Sequence, residues 1–246
     1  MTNTAWQKFS EAREHFNNLT ITLEKKLPRL RHWVTELAEN REGPPYKVET
    51  PVVYNKALDE ITAQDRIKLI LVADNPGRRE QAAENRRYLV GPSGKIAGRF
   101  FREHPELDID FGKNVIILNK TPIHTPRTVE LKELCRLGGK KTASLLDESQ
   151  FKMAELLLEF HKALAPVQVW ITGYSEMKKN GVFETYTNTL KGLYRNLKSR
   201  EDLFIYRHFS MNQFTIDLSK QRREDEGIQD ALKRMGAAYR ERVLGE

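Results

Sequence analysis

The chain has 246 residues, of which 39% are hydrophobic and 30% charged, and 41 Lys and Arg against 34 Asp and Glu give a formal net charge of +7. This length suffices for a well-buried core, and the composition excludes a membrane-embedded, fibrous or wholly disordered protein. Cys135 is the single cysteine, which excludes a disulfide framework and a cysteine-bound zinc or iron–sulfur site within the chain, so we expect no cofactor, no metal and a cytoplasmic location.

The first part of the chain is predicted to be helical. Large apolar residues recur every three to four positions over residues 4–40, and Pro28 is expected to separate two helices. The stretch 41–46 is a breaker rich in Gly and Pro, and residues 57–62 suit a short helix. We interpret residues 1–64 as a helical extension packed on the rest of the chain.

Four short apolar runs follow, rich in Ile, Val and Leu, at residues 67–73, 114–119, 167–172 and 203–207. Such runs between helix-like segments are typical of buried parallel strands joined by right-handed crossovers. The helices predicted among them cover residues 93–103, 150–164, 182–197 and 227–243. The expected fold is α/β, a three-layer α/β/α arrangement with a central, mostly parallel four-stranded sheet and an N-terminal helical extension. Without internal repeats or a long linker, residues 1–246 are interpreted as one domain with a core at 65–246.

Polar residues stand directly after the predicted strands. Asp74 and Asn75 follow the first, Asn119 and Lys120 end the second, and His208 follows the fourth. Carboxyl ends of parallel strands meet at one edge of a sheet, where ligands bind, so these groups are expected to converge. Each alone has a structural explanation, since Asp-Asn-Pro-Gly is a common turn and a lone His is often structural. The convergence favours a site.

The segment Leu89-Val-Gly91-Pro-Ser-Gly94-Lys95 is rich in glycine and precedes a predicted helix. It lacks the first Gly and the final Ser or Thr of a P-loop, so ATP or GTP hydrolysis is disfavoured. A nest of backbone amides for phosphate and a plain helix start are both compatible with it. Neither zinc-ligand spacing nor a Gly-x-Ser-x-Gly elbow is present.

The order and content of these segments resemble the uracil-DNA glycosylase superfamily, nearest to its family 4 branch. Ile70-Leu-Val-Ala-Asp-Asn-Pro-Gly77 and Arg87-Tyr-Leu-Val-Gly-Pro-Ser-Gly-Lys95 are similar to the Gly-Glu-x-Pro-Gly and Phe-Val-Gly-x-x-Gly-Lys blocks of that branch. Val115-Ile-Ile-Leu-Asn119 and His208-Phe-Ser210 are similar to the strand ending in the base-reading Asn and to the His-Pro-Ser motif. The resemblance covers roughly residues 65–215.

The resemblance implies roles for individual residues. Asp74 or Asn75 would position the attacking water, and His208 would stabilise negative charge on base O2. Asn119 would hydrogen-bond the base edge, while Leu89, or the adjacent Tyr88, would stack on it. A wedge filling the vacated base stack would come from the segment after His208, from Met211, Gln213 or Phe214.

The departures from the family 4 pattern concern the substrate and the cluster. The cysteines that bind the family's iron–sulfur cluster are absent, Leu89 replaces an aromatic residue, Phe209 replaces Pro, and Asp74 replaces Glu. The expected function is a monofunctional DNA glycosylase that flips out a deaminated or damaged base, uracil first, and hydrolyses its N-glycosidic bond in base-excision repair. The alternatives are a catalytically silent nucleic-acid-binding module of the same fold and an enzyme acting on small nucleotides.

The positive charge is concentrated in two segments. Residues 77–104 hold seven Lys and Arg against three Glu, a net +4, and residues 120–141 hold six against two, also +4. Both begin at the expected site, where a DNA backbone would pass. We expect a monomer that binds DNA and no membrane; the expected DNA-binding residues are Arg78, Arg86, Arg87, Lys95, Lys120, Arg127, Ser210, Met211 and Asn212.

Overall fold

The computed structural model describes residues 1–40 and 44–245; residues 41–43 of the predicted breaker lie outside the described part. The helices are α1 (Asn3–Lys26), α2 (Leu30–Glu39), α3 (Pro92–Glu103), α4 (Glu130–Leu164), α5 (Glu184–Tyr194), α6 (Gln213–Gln221) and α7 (Ile228–Leu244). The strands are β1 (Leu69–Ala73), β2 (Val115–Asn119), β3 (Gln168–Thr172) and β4 (Leu203–Tyr206). Over the described residues, no helix has both the length and the apolarity to cross a bilayer.

The four strands form a wholly parallel sheet in the order β2-β1-β3-β4. Every residue of β1 is buried, as expected for a parallel strand covered by helices on both faces. The chain leaves β1 to form β2 on one side and then returns to form β3 on the other, so the strand order reverses at β1. The predicted parallel four-stranded sheet is confirmed.

The two faces of the sheet have separate cores. Alternate strand residues such as Ile70 and Val72 pack with α1, α2, α4 and α5. Their neighbours Leu69 and Leu71 pack with α3, α6 and the first half of α7, around an aromatic group that includes Trp170. Because side chains alternate along a strand, this division produces the three layers. The predicted α/β/α class is therefore confirmed, together with its N-terminal helices.

The N-terminal segment contributes to the core rather than lying beside it. Phe9 and Phe16 of α1 are fully buried and belong to the same core as α4. Further along, Val53 N donates to Pro122 O at 2.8 Å, and His124 N donates to Pro51 O at 2.9 Å. The extension thereby supports the loop after β2, one of the loops at the carboxyl edge of the sheet.

Two helices differ from the predictions. α4 begins at Glu130, twenty residues before the predicted start, and continues through Gly139, whose positive φ of 64° interrupts its regular geometry. The helix is kinked at Gly139, where the backbone is not helical, and α4 as a whole packs against α1 and α2. α6 was not predicted; its Phe214 and Leu218 are buried in the aromatic core.

Candidate functional site

A cavity of about 550 Å³ opens at the carboxyl ends of the strands. Its walls are the loop after β1, the turn before α3, the loop after β2 and the start of the loop after β4. The volume falls within the usual range for small-molecule sites, and the position is the switch point of an open parallel sheet. The structure brings together, as lining residues, the sequence-predicted Asp74, Asn75, Leu89, Arg78, Arg127, His208 and Ser210.

Asp74 is held against a buried lysine. Lys120 Nζ donates to Asp74 Oδ1 at 2.6 Å, and it also donates to the backbone oxygens of Ala73, at 3.4 Å, and Thr172. The Lys120 side chain has no exposed surface, so burial lowers its pKa while Asp74 opposes that shift. Lys120 therefore cannot contact a DNA backbone, contrary to the sequence prediction; it lies beneath the site.

Asn75 is oriented from both ends of its amide. Its Nδ2 donates to Thr125 Oγ1 at 2.9 Å, and its Oδ1 accepts from Thr128 Oγ1 at 2.9 Å. Both threonines belong to the loop after β2 and line the cavity. An amide whose donor and acceptor are both engaged has a fixed orientation, leaving Oδ1 with one further lone pair. Asn75 thus ties two walls of the cavity together and presents an oriented oxygen.

His208 presents a hydrogen-bond donor. The backbone N–H of Ser210 donates to His208 Nδ1 at 3.0 Å, so the neutral ring carries its proton on Nε2. Burial lowers the pKa of His208, Asp74 opposes this shift, and Lys120 adds to it. The neutral imidazole with its proton on Nε2 is therefore favoured. Its Nε2–H can donate a hydrogen bond to an atom on which negative charge develops during a reaction.

Asn119 is the most informative residue of the site. Its side chain is buried, with 1% of its surface exposed, and neither Oδ1 nor Nδ2 has a hydrogen-bond partner among the described residues. Asn119 pairs in register with Ala73, which lines the cavity, so both side chains leave the same face of the sheet. An unsatisfied buried amide costs about 1–3 kcal/mol, a cost that a ligand edge bearing one donor and one acceptor would remove.

Glu80 is a cavity residue that sequence reasoning missed. Its carboxylate accepts from Gly77 N at 3.2 Å and from Leu89 N at 3.0 Å, joining the loop after β1 to the turn before α3. The side chain is buried, and burial raises its pKa to about 7 while the two backbone hydrogen bonds oppose the shift. A sequence signal existed, because Glu80 directly follows the arginine pair 78–79 in the segment after β1, but it was counted only as surface charge.

The turn before α3 depends on one glycine. Leu89 has a positive φ of 54°, and a Cβ on Gly94 would lie 1.4 Å from Leu89 O, which is backbone and cannot move aside alone. Gly91 caps α3 and Pro92 occupies its first turn. This close approach places Leu89 and Ser93 in the cavity wall, and it explains the spacing of the glycine-rich segment.

His124 supports the loop after β1 from behind. Its ring is buried, which lowers its pKa to about 4. Pro76 O lies 2.7 Å from His124 Nδ1, and Tyr46 OH lies 2.8 Å from Nε2. A carbonyl only accepts, so Nδ1 carries the proton and Nε2 accepts from Tyr46. The Arg78 guanidinium lies over the Tyr46 ring, 4.9 Å from its centroid, which connects this network to the rim.

Several expected contacts are corrected by the packing. Tyr88 is buried in the α1 core and donates to Val53 O at 2.6 Å, so it is not a stacking platform for a base. Arg87 is ion-paired with Glu60 and does not line the cavity. Arg86 has a buried Nε without a partner in the described residues and also lies outside the cavity wall. Arg86 and Arg87 are thus half-buried and lie outside the cavity wall.

The rim of the cavity is nevertheless basic. Arg78 and Arg79 are exposed lining residues, and Arg79, which sequence reasoning did not single out, has no side-chain ion pair among the described residues. Arg127 lines the opposite side and is ion-paired with Glu130 at 2.8 Å. Lys95 is exposed on the first turn of α3 but does not line the cavity.

The segment after His208 carries an exposed apolar side chain. Met211 has 83% of its surface exposed, and Met211 and Asn212 both have positive φ, of 52° and 57°. Two consecutive left-handed residues make a sharp turn that projects the Met211 side chain beside Ser210 of the cavity. Phe214 is buried and stacks on Phe209, with ring centroids 4.3 Å apart, so it cannot act as a wedge; Met211 is placed to do so.

A second cavity, of about 460 Å³, lies at the opposite edge of the sheet, where the strands begin. Three cationic residues line it, Arg66, Lys68 and Lys233, and Lys68 is paired with Asp108 at 2.7 Å. Asp74, Asn75 and His208 line the first cavity, whereas Asn119 pairs in register with the lining residue Ala73 but does not itself line the cavity. The first cavity is therefore the candidate functional site. Over residues 1–40 and 44–245, no cluster of three or more His, Cys, Asp or Glu side chains suits a metal ion.

The chain matches no protein-family model, and a search of curated proteins finds no match.

Proposed function

We propose that the protein is a monofunctional DNA glycosylase that extrudes a deaminated or damaged base, uracil first, and hydrolyses its N-glycosidic bond. The unpartnered amide of Asn119 carries this proposal. Uracil presents O4 as an acceptor and N3–H as a donor side by side, and a primary amide complements that pair with Nδ2–H and Oδ1. A base must leave the duplex stack to reach a buried amide, so the proposal includes base flipping.

The chemistry assigns a place to each group. As the bond between C1′ and the base nitrogen breaks, its electron pair leaves with the base, and positive charge develops on the sugar. His208 Nε2–H donates to the base oxygen where negative charge accumulates, while the Asp74 carboxylate faces the sugar. A water oriented by Asp74 or Asn75 bonds to C1′ and releases a proton, and the products are an abasic site and the free base.

The surroundings of the cavity suit a DNA strand. Arg78, Arg79 and Arg127 stand around its mouth, and Met211 projects beside it. Guanidinium groups contact phosphates on either side of an extruded nucleotide, and an apolar side chain fills the gap in the stack. We infer that the protein acts as a monomer on DNA in a reducing, cytoplasmic compartment, where its one thiol, Cys135, stays unpaired.

The test is a panel of oligonucleotides, single-stranded and duplex, carrying uracil opposite G or A, hypoxanthine or xanthine, with undamaged DNA as the control. Excision is measured as alkali-labile sites and as released base. We expect uracil excision by the wild-type chain and loss of excision in Asn119→Ala and His208→Ala. If the chain excised only hypoxanthine or xanthine, the proposed substrate would be wrong and the assignment as a DNA glycosylase would stand.

A different result would favour a binding module of the same fold. In that case the wild-type chain would bind the oligonucleotides with a strong salt dependence and produce no abasic site. His208→Ala would then change affinity alone. If the chain neither excised a base from any oligonucleotide of the panel nor bound any of them, both functions would be overturned.

A further inference from the structure

The Lys120–Asp74 pair is unusual in its degree of burial. Lys120 follows β2 and reaches under the sheet edge to the ends of β1 and β3, where three oxygens accept from its ammonium group: Ala73 O, Asp74 Oδ1 and Thr172 O. The ammonium also lies 4.9 Å from the centroid of the Phe183 ring. A charge removed from water at this depth is retained only when such partners compensate it.

The two oxygens of Asp74 have different surroundings. Oδ1 accepts from Lys120, whereas Oδ2 has no hydrogen bond from any residue that the structure describes. Gly173 permits this arrangement: its φ is +89°, and a Cβ there would lie 2.1 Å from Asp74 Oδ1. The carboxylate is thus clamped by one oxygen, while the residue as a whole lines the cavity.

We propose that Lys120 is a positioning residue that fixes Asp74 through Oδ1 and places a positive charge beside it, so that Oδ2 faces the sugar and the water. This inference rests on the proposed glycosylase function. Lys120 is the one cation within hydrogen-bond distance of Asp74 among the described residues. Without its ammonium group, a carboxylate in this place would take up a proton more readily. A protonated Asp74 neither orients water as a base nor stabilises positive charge on the sugar.

Other charged groups face the pair and enter its pH dependence. His208, from the loop after β4, senses both Asp74 and Lys120, and Glu176, from the turn after β3, interacts with Lys120. Glu80 lines the same cavity from the loop after β1. Replacing Lys120 also removes the charge that His208 senses, so the Asp74→Asn background is needed to separate an effect through His208 from an effect through Asp74.

The first experiment measures single-turnover uracil excision from pH 4 to 9, on a single-stranded oligonucleotide and a U·G duplex. In Lys120→Met, we expect a loss of about 100-fold at neutral pH and an acid limb moved up by about one pH unit or more. In the Asp74→Asn background, Lys120→Met should cause no further loss, because the lysine acts through the carboxylate. Lys162→Met, an exposed charge-matched control, should behave as wild type.

Equal wild-type and Lys120→Met profiles would overturn the inference, as would independent losses that multiply in the double variant. The latter would assign Lys120 a purely structural role. If the wild-type chain excised no base, that result would contradict the proposed glycosylase function, and it is distinguishable from the outcomes that contradict the role of Lys120.

A second measurement needs neither activity nor the Lys120→Met variant. The pKa of Lys120 is followed by NMR of its side chain in wild type and in the isosteric Asp74→Asn. Coupling between two charges is reciprocal, so loss of Asp74 should lower the pKa of Lys120 by a further unit or so. An unchanged Lys120 pKa would show that the pair does not couple and would overturn the proposal.

Discussion

At the scale of single residues, Asn119 shows a conflict between folding and binding. Its buried amide has no partner among the described residues, which destabilises the unliganded protein, yet it is the group best suited to read a base edge. Buried polar groups left unsatisfied in this way are typical of binding sites rather than of cores.

Replacing Asn119 by Leu tests this conflict directly. The substitution keeps the approximate volume and removes both unsatisfied atoms, so we expect the free energy of unfolding to rise by about 1–2 kcal/mol. Uracil excision should be lost at the same time. Chemical denaturation and the oligonucleotide assay measure the two effects; a destabilised Asn119→Leu would mean that the amide is satisfied in solution.

Glu80 should make stability depend on pH. Burial raises its pKa from 4.5 to about 7, so its contribution to stability is complete below about pH 4.5 and is lost as pH rises through 7. The loss should reach about 3 kcal/mol at most. Glu80→Gln should flatten this slope, whereas Glu84→Gln, an exposed neighbour, should leave it unchanged.

The change of the free energy of unfolding with pH has to be compared between variants, because His124 changes this free energy with pH in the direction opposite to Glu80. Burial lowers the pKa of His124 to about 4, so its neutral form stabilises the fold above pH 6.5 and that contribution is lost as pH falls toward 4. Denaturation curves at pH 5, 6, 7 and 8 separate the two residues. An identical slope in wild type and Glu80→Gln would contradict the assignment to Glu80.

At the scale of elements, the turn before α3 is the segment least able to accept change. The carbonyl of Leu89 occupies the space of a side chain at Gly94. Gly94→Ala should therefore destabilise the protein by about 3 kcal/mol and displace Leu89 from the cavity wall.

The matched control is Gly192→Ala on α5, where nothing lies within 4 Å of the added Cβ. Alanine is the better helix former, so this variant should be neutral or more stable by up to about 1 kcal/mol. Thermal and chemical denaturation compare the two substitutions. Equal stability of both variants would mean that the turn relaxes without cost.

At the scale of the whole molecule, the position of the net charge matters more than its size. Of the three arginines at the rim, Arg78 and Arg79 have no ion pair among the described residues, whereas Arg127 is paired with Glu130; away from the rim, Arg87 is paired with Glu60. An ion pair with a carboxylate leaves little attraction for a second anion.

Arg79→Gln should lower the slope of log K against log salt by about 0.9 in duplex binding, as expected for one lost phosphate contact. Arg87→Gln, the charge-matched control, should leave the slope nearly unchanged. Fluorescence anisotropy from 50 to 300 mM salt measures both. The reverse order of effects would place the DNA path along the Glu60 side of the protein.

The local pattern of the chain was sufficient for much of the fold. Apolar runs of five to seven residues predicted all four strands, because a strand buried on both faces is mostly apolar. The same pattern placed Asp74, Asn75, Asn119 and His208 at one edge, since parallel strands share a direction. Their convergence follows from topology, which periodicity predicts.

Only the tertiary structure decided which side chains at that edge face the cavity. Lys120 and Tyr88 lie next to site residues in the chain but point into the interior, and Glu80, counted as surface charge, is buried in the wall. The environment of a loop side chain depends on the distant segments that cover it, here α1 for Tyr88 and the ends of β1 and β3 for Lys120. The local amino-acid pattern therefore specifies the sheet and the edge that carries the polar groups, whereas long-range packing specifies which of those groups are available to a ligand.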